Sequence, residues 1–75
     1  MFDVNIFAKR IRDLRLSKNL SQEELAAALG TTKAYVSYLE SAKRTTPIDK
    51  LYELADYFDV SIDYLVGRSD DPPKL

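Results

Sequence analysis

The sequence contains no cysteine, no histidine and no tryptophan, and only two glycines in 75 residues. Each absence removes a class of chemistry. Without cysteine there is no disulfide and no thiolate metal site. Without histidine the chain lacks the commonest metal ligand and the commonest general base. Two glycines cannot build a phosphate-cradling loop. No nucleophile–base set remains, so neither an enzyme nor a resident metal or cofactor is expected. No run approaches the roughly 20 apolar residues of a membrane span. The start, MFDVNIFAKR, places Asp3 early and no long apolar run follows, so no secretory signal is expected. These features point to a soluble, cytoplasmic domain with no membrane partner.

A chain of this length makes one domain, and its core must be efficient. Net charge is −1, which taken alone argues against a nucleic-acid partner. The distribution is uneven. Residues 1–46 carry eight bases against five acids, a balance of +3; residues 47–75 carry three against seven, a balance of −4. Such an asymmetry can orient a molecule against an anionic partner, and it is equally compatible with two solvated faces.

Apolar residues recur at intervals of three and four throughout, with no strand signal. Phe7, Ile11 and Leu14 share one face of a first helix, from about Ile6 to Lys18, with Asn5 as its cap and Asn19 at its left-handed end. Ser21 and Glu24 form a capping box for a second helix, whose inward residues are Leu25, Ala26 and Leu29. Gly30 ends it. Thr32 caps a third helix with Val36 and Leu39 inward. Thr46 followed by Pro47 signals a fourth, proline taking the first helical position. Its stripe is Leu51, Leu54, Ala55 and Phe58. Ser61 caps a short fifth helix, with Ile62 and Leu65 inward and Gly67 as its stop. The expected architecture is all-α: a compact five-helix bundle over residues 1–67, followed by a polar, disordered tail or linker over 68–75.

The spacing within residues 22–41 is the informative part. Ala26 lies four residues before Gly30, Val36 six after it, and Leu39 three after that. Two helices crossing over a tight turn need a small residue at the crossing, positive φ at the turn and an inward apolar pair on the second helix. This is the helix-turn-helix arrangement, formed here by helices 2 and 3.

The stretches RDLRLSKNLSQEELAAALG, TTKAYVSYLE and TPIDKLYELADYFDVSIDYLVG span nearly all of residues 1–67. In order and spacing they resemble the Xre, or Cro/CI, family of helix-turn-helix transcriptional regulators. The resemblance implies the lambda-repressor-like fold, with helix 3 as recognition helix. It implies that Lys33, Ala34, Ser37 and Tyr38 face base edges, where lysine can donate to guanine, alanine can touch a thymine methyl and serine can serve either kind of base. Gln22, Thr32, Tyr35, Lys43 and Arg44 would meet the DNA backbone, fixing register without reading sequence. It also implies an ion pair between Arg15, late in helix 1, and Glu40, which ends helix 3.

The implied function is a repressor that binds a pseudo-palindromic double-stranded operator as a homodimer. Val60, Tyr64 and Val66 are the dimer candidates; the other reading is that they complete the monomer core. The alternative function is a protein-interaction module, such as the antitoxin of a toxin–antitoxin pair, or the N-terminal domain of a longer repressor. Two departures stand out. Ala42 replaces the family's glycine after helix 3, so a less common loop shape is expected. Asp59 replaces another, and aspartate tolerates left-handed geometry.

Overall fold

Among the described residues five have positive φ, and each one ends a helix. The structure, a computed structural model, describes residues 1–71. The helices are α1 (Val4–Ser17), α2 (Gln22–Ala28), α3 (Lys33–Glu40), α4 (Ile48–Phe58) and α5 (Ile62–Leu65). Asn19, Gly30, Ala42, Asp59 and Gly67 have φ between 55° and 85°. The same pair of hydrogen bonds closes every end. After α2, Thr31 N–H reaches Ala26 O (2.9 Å) and Gly30 N–H reaches Ala27 O (3.3 Å). After α3, Lys43 N–H reaches Tyr38 O (3.1 Å) and Ala42 N–H reaches Leu39 O (3.4 Å). These bonds satisfy carbonyls that a helix otherwise leaves without partners. Ala42, at φ 63°, therefore keeps the loop shape that glycine would give, which corrects the expectation of an uncommon one. Its Cβ carries the strain of the left-handed conformation instead.

The starts are equally local. Side-chain oxygens of Asp3, Ser21, Thr32 and Ser61 accept from Asn5, Glu24, Tyr35 and Tyr64 N–H respectively. Ser21 N–H donates in return to Glu24 Oε1 at 2.8 Å, completing the capping box. Two expectations are corrected. α1 begins at Val4, because Asp3 rather than Asn5 supplies the capping oxygen. α4 begins at Ile48, since Pro47 has an extended ψ of 156° and serves as the cap residue. Thr46 does not cap it; its hydroxyl pairs with the Tyr35 hydroxyl.

Phe7 and Ile11 of α1, Leu25 of α2, Val36 and Leu39 of α3, Leu54 of α4 and Leu65 of α5 are all essentially sealed from solvent. One core thus draws on every helix, each such side chain stabilising by roughly 1.5–3 kcal/mol. α1 packs on α3 and α5, α2 on α3, and α4 on α5. Among the described residues no helix is long and apolar enough to cross a membrane.

The chain does not leave the body at Gly67. Arg68 and Ser69 amides donate to Asp63 O at 2.8 and 3.2 Å. The Arg10 guanidinium donates to Tyr64 O (2.5 Å), Ser69 O (2.6 Å) and Asp70 Oδ1 (2.8 Å), and stacks 4.2 Å from the Tyr64 ring centre. The expected disorder of residues 72–75 lies outside the described residues.

Candidate nucleic-acid interface

α3 has one buried edge, made by Val36 and Leu39. At about 100° per residue, Lys33, Ser37, Ala34 and Tyr38 fall within one ~140° arc on the opposite side. Lys33, Ala34 and Tyr38 are exposed and Ser37 is half-buried. The four residues expected at base edges therefore share a single outward face. Thr32 lies just before them, exposed, its oxygen accepting from Tyr35 N–H at 3.1 Å.

Both flanks of this face are tied down. On one, Glu40 takes Arg15 Nε at 2.6 Å and Nη2 at 3.0 Å, and Gln22 Nε2 at 3.2 Å. Arg15 also donates to Leu20 O at 2.7 Å. The Arg15 and Glu40 side chains are 11% and 5% exposed, so this charged network joins α1, α2 and α3 largely out of water. The hydrogen bond to Glu40 raises the Arg15 pKa above its ordinary value; burial opposes this and the Glu40 charge reinforces it. Gln22 thus braces α3 from the first turn of α2.

On the other flank, Tyr35 is half-buried against the core and its hydroxyl is bonded to Thr46. That bond ties α3 to the loop carrying Lys43 and Arg44. The Arg44 guanidinium carbon lies 5.2 Å from the Tyr38 ring centre and 5.7 Å from that of Tyr35. The loop's positive charge is thereby held beside the outward face.

Pairing decides which cations remain free to meet a polyanion. Lys9, Arg10, Arg15 and Lys50 are ion-paired with Asp13, Asp70, Glu40 and Glu53. Among the described residues, Arg12, Lys18, Lys33, Lys43, Arg44 and Arg68 have no carboxylate partner, and four of these six, Arg12, Lys33, Lys43 and Arg44, lie on or beside α3. A count of charges in the two halves does not reveal this, because it counts neutralised and free cations alike. Arg12 was not foreseen as a site residue. The signal for it is its place one helical turn before Arg15 on α1.

The three dimer candidates separate. Val60 is 5% exposed and belongs to the core cluster, so it completes the monomer core, a correction to its place among interface residues. Tyr64 is half-buried with Arg10 against its ring. Val66 is half-buried next to Gly67, where Ile6 fills the space a Cβ would need.

A helix-turn-helix family model matches residues 11–65. The chain is 39% identical over 71 residues to the HTH-type transcriptional regulator YobD of Bacillus subtilis, covering 93% of this chain and 63% of YobD. It is 35% identical over 66 residues to the cryptic phage CTXphi transcriptional repressor RstR of Vibrio cholerae, covering 87% and 59%. It thus spans about three fifths of these relatives' lengths. Among solved structures, the restriction-modification controller protein C.AhdI from Aeromonas hydrophila superposes with a TM-score of 0.74 at 35% identity, covering 84% of this chain and 91% of that one.

Proposed function

The chain belongs to the helix-turn-helix family of transcriptional regulators of the Xre, or Cro/CI, type, and on that premise we propose that it is a sequence-specific repressor. It binds a pseudo-palindromic double-stranded operator as a homodimer in the cytoplasm, with α3 in the major groove. The observation that carries this reading is the outward arc of α3, whose two flanks are both fixed by hydrogen bonds. A preorganised reading helix loses little freedom on docking, so its contacts convert efficiently into affinity.

Lys33, Ala34, Ser37 and Tyr38 read base edges. Thr32, Lys43 and Arg44 hold phosphates, and Gln22 joins them from the first turn of α2. Tyr35 acts chiefly through Thr46, setting the loop beside the backbone. A single domain of this size buries little surface on DNA, so two copies share one operator. With Val60 sealed, the dimer surface is built from Val66, Tyr64 and nearby Ile6. The relatives named as a repressor and a controller protein support the regulatory reading.

Selection from random duplex DNA at about 100 mM salt tests it. The expected product is an inverted repeat with half-sites about one helical turn apart. A folded, monomeric chain that enriches nothing would instead favour a protein-interaction module such as an antitoxin.

A further inference from the structure

An open groove of about 280 Å³ runs between α1 and α3, lined by Arg12, Arg15, Gln22, Ser37, Glu40 and Ser41. Its polar groups are unevenly committed. Arg15 and Glu40 neutralise each other, and one Gln22 N–H is spent on Glu40. Ser41 Oγ donates to Tyr38 O at 3.3 Å, a long bond at the groove's rim. Arg12 has no hydrogen bond, ion pair or ring contact among the described residues. The groove therefore carries one uncompensated positive charge beside an amide and two hydroxyls. Such a donor set fits a tetrahedral monoanion whose oxygens point several ways.

Position adds to chemistry. Ser37 belongs both to this groove and to the outward arc of α3. An anion seated in the groove would lie immediately beside a helix docked against base edges. In duplex DNA the group nearest a side chain in the major groove, and carrying a single negative charge, is the flanking phosphodiester.

We propose that this groove seats a backbone phosphate of the bound duplex, with Arg12 as its charge partner and the free Gln22 N–H as donor, beside the base-reading Ser37. The assignment rests on the operator reading above. Arg12 then contributes affinity without sequence information, and it grips the strand from α1, on the flank of α3 opposite Arg44.

The test is the salt dependence of binding. The wild-type chain and its Arg12→Ala, Arg12→Lys and Lys18→Ala variants are titrated by fluorescence anisotropy against the selected operator and an unrelated duplex. Lys18 supplies a charge-matched control, since it lies over the Tyr57 ring, away from the groove. Losing one phosphate contact makes the slope of log K against log salt less negative by about 0.9 per protomer, which is roughly 8-fold weaker binding per protomer near 0.1 M salt. Arg12→Ala is expected to show that change on both duplexes, with their affinity ratio preserved; Arg12→Lys keeps most of the slope. Arg12 is exposed and unpaired, so its variants fold, as circular dichroism will verify.

An Arg12→Ala slope equal to that of Lys18→Ala overturns the groove while leaving the operator reading intact. So does a changed preference at one base pair, which marks Arg12 as a base reader. If wild type selects no operator, yet Arg12→Ala still flattens the slope on arbitrary duplex, the phosphate seat stands and the operator reading falls.

Discussion

Replacing Glu40 with alanine removes three hydrogen bonds at once, two from Arg15 and one from Gln22. Arg15 keeps its bond to Leu20 O, but its charge stays largely buried without a counter-ion. Removing one partner of such a pair costs about 3 kcal/mol. A domain of this size has a total stability on the order of 4–11 kcal/mol. The variant should therefore melt ~12–24 °C lower, at ~4–8 °C per kcal/mol for small domains. The assay is urea unfolding, with thermal melting as the second probe.

The double variant Arg15→Met/Glu40→Met separates a pair from two independent residues. With both charges gone and the volume refilled, stability should return close to wild type, giving a coupling of roughly 2 kcal/mol or more. Sodium chloride should change wild-type stability little, since buried pairs are weakly screened. Alkali should not undo the pair either. The Arg15 pKa is raised in the fold, so its stabilisation is fully present below the unfolded-state value and is lost only as pH passes the higher folded value. An unchanged urea midpoint for Glu40→Ala, or strictly additive single and double variants, would refute the argument.

Three further outcomes follow from local geometry. Ala42→Gly should stabilise by roughly 0.5–1 kcal/mol, because relief of left-handed strain exceeds the entropy glycine adds to the unfolded chain; a lower melting point would contradict this. Gly67→Ala should cost more than Gly30→Ala. A Cβ at Gly67 would sit 3.0 Å from Ile6 Cγ2, whereas nothing lies within 4 Å at Gly30, so equal losses would defeat the packing argument. Tyr35→Phe and Thr46→Val each break the same hydroxyl pair. Each should cost about 1 kcal/mol and weaken DNA binding on all sequences alike, and the double variant should lose no more than either single; additive losses would mean the pair does not act as a unit.

The helix ends were legible because they depend on a few neighbouring residues. A capping oxygen and its amide partner lie within three positions, as in Ser21 and Glu24. Asn19, Asp59 and the two glycines marked four of the five left-handed ends for the same reason. The arc of Lys33, Ala34, Ser37 and Tyr38 followed from the helical period once Val36 and Leu39 were placed inward. Where two local signals competed, the reading slipped by a residue or two. Asp3 and Asn5 can both cap α1, and Thr46 can cap α4 or bond Tyr35.

Other features depended on residues far apart in the chain. Val60 is the same residue whether it meets a second copy or its own core; only the assembled core, to which every helix contributes, shows that it is buried. Arg10 finds acceptors 54 to 60 positions away, and no spacing rule reaches that distance. Glu40 is taken up by Arg15 and Gln22, while Arg12, in the same groove, has no partner among the described residues. By itself, then, the sequence determined five helices, most of their caps and the outward face of α3, since these follow from short-range backbone chemistry and the helical period. The tertiary structure alone decided which charges are neutralised and which apolar residues are covered, because both depend on what other helices bring within a few ångströms.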